Sequence, residues 1–272
     1  MKVAIQGYEG CFHQIVAYHY LGKDIQTLPC DTFRQVARKV QDGEVDFGVM
    51  AIENSIAGSI IANYSILQNS MLQVAGEVYL QIDQNLMVLP DVELEDIQEV
   101  HSHPMALLQC VDYLDSHDWK LVESEDTALS ARRIAQNKTR NAAAIASTLA
   151  AEIFGLKIIA PAINTMRHNY TRFMIIKRHD HYVDPLANKA SLYFKAGHEQ
   201  GSLLKVLQQM DDSTINLSKL QSYPIPSEPW HYLFHVDMEF DCFDDYIRTL
   251  DKLQRSAEEV HVYGVYRKGE NI

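Results

Sequence analysis

The sequence predicts an α/β protein with a smaller, separately folded α+β unit at its C-terminal end. Three observations lead there. Short apolar runs alternate with helical patterns over the first 179 residues, a polar break follows, and a compact β-α-β-β-α-β pattern closes the chain. Strands are expected at Lys2–Gln6, Ile25–Leu28, Phe47–Ile52, Asn85–Leu89, Ile97–Ser102, Lys120–Glu123, Ala142–Ile145 and Thr171–Ile176, where apolar residues run together. Helices are expected at His13–Leu21, Thr32–Asp42, Pro104–Ser116, Thr127–Asn137 and Ser147–Phe154. Pro104 stands at a first helical position, Ser, Thr and Asp supply N-caps, and Gly155 ends the last helix. Such alternation predicts a largely parallel sheet.

From about Lys177 to Asn188 the chain turns polar, with a break at Asp184-Pro185. Beyond it come Ala190–Lys195, a helix Ser202–Met210 after Gly201, the pair Ile215–Gln221 and His231–Phe240, a helix Phe243–Ala257 and a strand Val260–Tyr266. This order is that of a ferredoxin-like domain over 190–269.

Apolar residues make up 47% and charged residues 22% of the 272 positions, an ordinary globular balance. The formal charge of −12 argues against nucleic acid and anionic membrane surfaces. Met1 leads straight into the first strand, no run is long enough to span a membrane, and Cys11, Cys30, Cys110 and Cys242 are scattered. A reduced, cytoplasmic protein is therefore expected. The pairs His101-x-His103 and His179-x-His181 lack a third ligand at useful spacing, so no metal is expected. Neither nucleotide-binding glycine spacing occurs, nor a Gly-x-Ser-x-Gly elbow.

Asn169-Tyr170-Thr171-Arg172-Phe173 runs directly into Met174-Ile175-Ile176. Strand alternation would send Thr171 and Phe173 to one face and Arg172 to the other; at a strand mouth all three can line one pocket. Arg would pair a carboxylate, Thr would donate to an oxygen, and Phe would cover a ring. Taken alone the triplet is more often an ordinary strand start. Several strands, however, lead into polar loops and then helix starts: Gly7–His13, Glu53–Ser59, Ser102–Pro104, Asp126–Ala128 and Ala146-Ser147. Any one such loop is explained by capping. Together they place helix N-termini at one sheet edge, where N–H groups bind anions without bulk positive charge. Glu53 is awkward as an anion ligand and is expected to hold donors or Arg172 in place.

In this order the motifs resemble the prephenate dehydratase family over nearly the whole chain. They are Gly7-x-x-Gly10-x-Phe12, Glu53-Asn54-Ser55 with Gly58-Ser59, Ser102-His103-Pro104 with Gln109-Cys110, Asp126-Thr127-Ala128, the Ala-rich helix Ala143–Gly155, and Thr171-Arg172-Phe173. The resemblance implies a two-lobed, periplasmic-binding-protein-like catalytic domain over 1–179. Lobe one would be 1–75 and 159–179, and lobe two 76–158, with no chorismate mutase fused ahead of it. It implies conversion of prephenate to phenylpyruvate without a cofactor. Thr171 would be the catalytic donor. Asn54, Ser55, Ser102, Gln109 and Arg172 would bind and orient substrate, with Glu53, Thr127, Ser147 and Phe173 around them. The tail resembles an ACT domain, implying phenylalanine as effector and a homodimer or homotetramer. Its helix start reads Gly201-Ser202-Leu203-Leu204. The family's Glu-Ser-Arg-Pro appears as Gln221-Ser222-Tyr223-Pro224, which removes an acid and the bidentate donors of an arginine. Arogenate as substrate, or a non-enzymatic carboxylate sensor, are the alternative readings.

Overall fold

Two mixed sheets form two lobes over the first 180 residues, and a third, antiparallel sheet packs behind the first. In the computed structural model, which describes residues 1–180, 182–210, 214–225 and 228–272, the elements follow the expected order closely. They run β1 (Lys2–Gln6), α1 (Phe12–Leu21), β2 (Gln26–Cys30), α2 (Phe33–Gln41), β3 (Phe47–Asn54), β4 (Gly58–Ser59), α3 (Ile61–Gln68) and β5 (Leu72–Gln81). Lobe two holds β6 (Asn85–Val88), β7 (Glu99–Ser102), α4 (Pro104–Gln109), α5 (Val111–Leu114), β8 (Lys120–Glu123), α6 (Thr127–Asn137), β9 (Ala142–Ala146), α7 (Thr148–Phe154) and β10 (Lys157–Ala160). The chain returns as β11 (Tyr170–Arg178) and continues through β12 (Lys189–Lys195), α8 (Ser202–Met210), β13 (Ile215–Pro224), β14 (Tyr232–Phe240), α9 (Phe243–Ser256) and β15 (Glu259–Tyr266).

The first sheet has the order β2-β1-β3-β11-β5, with β4 on the end of β3. Strands β1, β2 and β3 are parallel, as alternation with helices requires, but β11 enters antiparallel between β3 and β5. The second sheet, β10-β6-β9-β7-β8, is likewise parallel only across β7, β8 and β9. The expected largely parallel sheet is thus a mixed one. A strand that crosses to another lobe and comes back has no helix crossover to keep it parallel.

The expected lobe boundary also shifts. Residue 76 lies inside β5, so the chain leaves lobe one only at 82–84. On the return, β10 still pairs with β6, and Ile163 packs in the core of lobe two. Strand β5 escaped the sequence pattern because Gly76 and Glu77 interrupt its apolar run. Both are explained by neighbours: a Cβ on Gly76 would meet the Tyr20 hydroxyl at 2.2 Å and its ring at 2.6 Å, and Glu77 is buried against cations described below. The expected helix over 104–116 breaks at Cys110 into α4 and α5.

The C-terminal domain has strand order β13-β14-β12-β15, the ferredoxin-like arrangement. Leu192, Phe194, Val236 and Met238 face α8 and α9, whereas Tyr193, Leu233, Tyr263 and Tyr266 pack on lobe one against Tyr64, Val74 and Met174. A Cβ on Gly264 would stand 2.0 Å from the Val74 carbonyl, so glycine permits the approach of β15 to β5. The terminal residues then augment the β5 edge: Gln81 donates to the Ile272 carbonyl and Ile272 to that of Tyr79, each at 2.8 Å.

The two lobes meet at Gly10. Its φ of +88° lies in the left-handed region, and a Cβ there would stand 2.8 Å from Ala150 Cα. Gly10→Ala should lower stability in urea unfolding by more than the ~1–3 kcal/mol of φ strain, because backbone must also move. Gly58→Ala, with φ +81° and no neighbour within 4 Å, should show the strain alone. Equal losses would remove the lobe contact from the explanation.

Candidate active site

One residue of irregular pairing builds the cleft. Thr171 pairs with Asn54 and Arg172 with Glu53, but Phe173 pairs with Ala51, leaving Ile52 as a bulge in β3. Strict alternation would put Asn54 on the same face as Ile52. The bulge instead turns Asn54 to the side of Ala51, Thr171 and Phe173, and these four line one cavity. It has a volume of about 390 Å³ and is completed by His13 of α1 and, from lobe two, by Gln84, His103, Gln109, Asp126 and Thr127.

Hydrogen bonds give the Thr171 hydroxyl a direction. Asn54 Nδ2 donates to Thr171 Oγ1 at 3.0 Å and to Asn169 Oδ1 at 2.7 Å. Asn54 Oδ1 in turn accepts from the amides of Ile56 and Ala57, at 3.0 and 2.9 Å, which fixes the amide orientation. With a lone pair of Oγ1 taken up by Asn54, the hydroxyl hydrogen is left to donate into the cleft. Asn169, fully buried, was not anticipated as part of the site, nor was Gln84, whose Nε2 lies 3.4 Å from Gln109 Oε1.

The charge of the cleft is unusual for an anion site. Among the described residues no lysine or arginine lines it, and Glu125 and Asp126 do. Asp126 caps α6 through Leu129 N at 2.9 Å, and burial raises its carboxyl above the usual range. His13 stands edge-on to Phe173 with ring centroids 5.0 Å apart, and burial pushes its imidazole down to about 3, so it is neutral. Positive potential comes from backbone: the first turn of α1 opens on the cleft with no side chain capping it.

Comparison with known proteins supplies the family. A sequence profile described as prephenate dehydratase matches residues 3–181. The chain belongs to the prephenate dehydratase family. A bifunctional chorismate mutase/prephenate dehydratase of Neisseria gonorrhoeae is 34% identical over 272 residues, covering 98% of this chain and 74% of that protein. The structure of prephenate dehydratase from Arthrobacter aurescens in complex with L-Phe superposes with a TM-score of 0.87 at 25% identity, over 98% of this chain and 90% of that one. GqqA, described as a novel type of quorum quenching acylase, superposes with a TM-score of 0.89 at 28% identity over 98% of each chain.

Of the residues expected from the family's motifs, Asn54, Gln109, Thr127, Thr171 and Phe173 line the cleft. Four others are placed elsewhere. Ser102 is fully buried and donates to the Ile145 carbonyl at 2.7 Å. Ser147 caps α7 and donates to the Gly10 carbonyl at 2.5 Å, joining the lobes. Glu53 and Arg172 point through the sheet to its opposite side. Arg172 is only 3% exposed; its Nε donates to Glu77 at 2.7 Å, Nη2 to the Tyr266 hydroxyl at 3.2 Å, and Nη1 pairs with Asp237. Burial opposes its charge, but Asp237 and Glu77 more than offset that and hold the guanidinium protonated. The expectation that Arg172 binds a substrate carboxylate is therefore corrected to a role behind the site. Ser55 sits on the rim, accepting from Tyr170 N at 2.9 Å. His103 caps α4 through Nδ1, while His181 of the second histidine pair lies outside the described residues.

The residues expected to bind an effector divide. Gly201, Ser202 and Leu203 line a separate cavity of about 190 Å³ with Trp230 and Tyr232. Gln221, Ser222, Tyr223 and Pro224 lie on β13, outside it. Tyr223 packs edge-on to His235, whose Nδ1 meets the Tyr263 hydroxyl at 3.0 Å and whose imidazole burial lowers to about 4.

His13 and His235 are neutral in the folded protein at pH values where the unfolded chain takes up protons. Unfolding free energy should therefore fall as pH drops from about 6.5 to 5, by up to roughly 1.4 kcal/mol per site per pH unit. Urea titrations across that range should show a shallower slope for His13→Gln. An unchanged slope would mean that His13 is charged in the fold.

Proposed function

We propose that the cleft converts prephenate to phenylpyruvate, CO2 and water, and that Thr171 assists departure of the ring hydroxyl. The C–C bond to the ring carboxylate breaks, its electron pair enters the ring, and the hydroxyl on the opposite carbon leaves with its own pair and takes a proton to become water. Aromatisation drives the step, so the demand on the protein is charge stabilisation at the leaving oxygen. The observation carrying this reading is the Asn54–Thr171 hydrogen bond, which leaves the Thr171 hydrogen free to donate. A threonine hydroxyl is too weak an acid to ionise near pH 7, so it acts as donor or relay. The carboxylates face the start of α1 and the amides of Gln84 and Gln109, which orient the bonds to be broken.

An amide-hydrolase reading drawn from GqqA lacks an activated nucleophile. Burial pushes the Cys11 thiol up to about 12, and Thr171 accepts from an amide rather than facing a base. Arogenate differs from prephenate only at the side-chain ketone, and the assay below separates the two. The ferredoxin-like domain we read as an ACT-type sensor of phenylalanine, supported by the cavity at the start of α8. The outer strand β13 supports pairing of two copies as a homodimer or, with further contacts, a homotetramer. The four unpaired cysteines suit a reducing cytoplasm.

Purified protein incubated with prephenate should yield phenylpyruvate, and Thr171→Ala should lower kcat at least roughly a hundredfold with little change in thermal midpoint. Near-normal turnover by the folded variant rejects the role of Thr171. Phenylalanine formed from arogenate, with no phenylpyruvate from prephenate, would reassign the substrate, and no product from either would leave a binding protein. Millimolar phenylalanine should inhibit; activity indifferent to it would reduce the C-terminal domain to an assembly module.

A further inference from the structure

We infer that the ferredoxin-like domain supplies two positioning residues for the reaction, Asp237 and Lys219, which hold the strand ends carrying Thr171 and Asn54 without reaching the cleft. Its kinetic readout rests on the prephenate reading above. The geometry lies in the register of β3 and β11. Thr171 opposes Asn54 on the cleft side, and their chain neighbours Arg172 and Glu53 oppose each other on the reverse side. Each of the two cleft residues is thus one peptide bond from an ion that another domain grips.

Arg172 is held by Asp237 of β14 and by Glu77 of β5, and Asp237 also accepts from Ser191 of β12. Glu53 is held by Lys219 of β13 at 2.7 Å, and the same ammonium donates to Ser59 Oγ at 2.8 Å. Ser59 belongs to β4, which pairs with the end of β3, so Lys219 fixes both sides of the loop that orients the Asn54 amide. The grip is stiff because it is buried. Arg172, Glu77, Lys189 and Asp237 are each at most 3% exposed, and two cations stand against two carboxylates. Removing the Asp237 charge leaves both buried cations sharing one buried carboxylate, Glu77, with the more exposed Glu53 and Glu239 at 3.9 and 3.6 Å, an arrangement the local backbone relieves by moving. The nearest backbone that can move is the mouth of β11. There a displacement of about 1 Å in a donor is enough for a hundredfold loss of rate.

The full-length chain carries the test, in Asp237→Asn, Lys219→Met and the charge-keeping Lys219→Arg. At temperatures well below unfolding, the first two should lose at least about tenfold in kcat with KM changed less than about threefold, as expected when a donor used in the transition state is misplaced. Lys219→Arg should recover to within about threefold of the parent rate. Backbone hydrogen exchange over 53–57 and 170–173 should rise in Asp237→Asn and Lys219→Met and return to the parent pattern in Lys219→Arg. A purely structural role would lower the thermal midpoint while leaving kcat and local exchange unchanged, and that outcome overturns the inference. Should Asp237→Asn fail to fold, the Lys219 pair at the more open end of the network decides alone. A parent protein that releases no phenylpyruvate refutes the proposed reaction instead, and the exchange data then judge the positioning role without it.

Discussion

The guanidinium of Arg172 is the point on which two of the three sheets converge. It sits on β11, reaches Glu77 on β5, and pairs with Asp237 on β14 and the Tyr266 hydroxyl on β15. Burying such a charge is unfavourable unless all its donors are met, and here they are met from two domains at once. The constraint propagates outward. Glu77 must interrupt the apolar run of β5, Gly264 must let β15 close on β5, and Lys189 must follow its carboxylate into the interior. Little of this network stabilises the chain relative to an apolar core of the same shape. What it does enforce is a single docking of the C-terminal domain on the back of the catalytic sheet, since any slip would strand a charge.

That arrangement explains which parts of the site were legible in the sequence. Alternation along Thr171-Arg172-Phe173 already separates the arginine from its neighbours, and the strand obeys it: Phe173 and Ile175 pack on one face, Met174 and Ile176 on the other. The backbone does not turn at the strand mouth, so Arg172 stays out of the pocket. An arginine beside a threonine expected to be catalytic invites a carboxylate, and no local signal announces that Asp237, some 65 positions along the chain, has claimed it. Ser102 and Ser147 mislead differently. Both stand at helix starts near the cleft, and a sequence does not say whether such a hydroxyl faces the ligand or a buried carbonyl, that of Ile145 for Ser102 and that of Gly10 for Ser147. Asn54 was legible as a motif, but its side-chain direction depends on a bulge at Ile52 that no residue type marks.

The elements divide along the same line. Strands with uninterrupted apolar runs, such as Lys2–Gln6, and helices with strong caps, such as Thr127–Asn137, coincide with their expected places, and the strand expected over Ala142–Ile145 runs one residue further. Strand β5 did not, because long-range partners dictate its least strand-like residues. The returning β11 was found, but its antiparallel insertion was not, since direction within a sheet is set by the path between lobes rather than by composition.

Among the described residues no lysine or arginine lines the cleft, and this bears on the chemistry as well as on binding. On the prephenate reading, one carboxylate must leave as neutral CO2. A fixed cation against that group would stabilise the ground state more than the transition state, and so oppose the step. Backbone N–H groups at helix starts give a weaker and more diffuse potential, enough to hold a dianion without trapping the charge that must disperse. His13, kept neutral by burial, adds no charge of its own. Strong, directed stabilisation is then confined to the leaving oxygen, where the Asn54 amide leaves the Thr171 hydroxyl free to donate. The arginine that the motif seemed to offer for binding serves better behind the strand: there it fixes the donor's position, and the cleft keeps a field that favours departure of both groups.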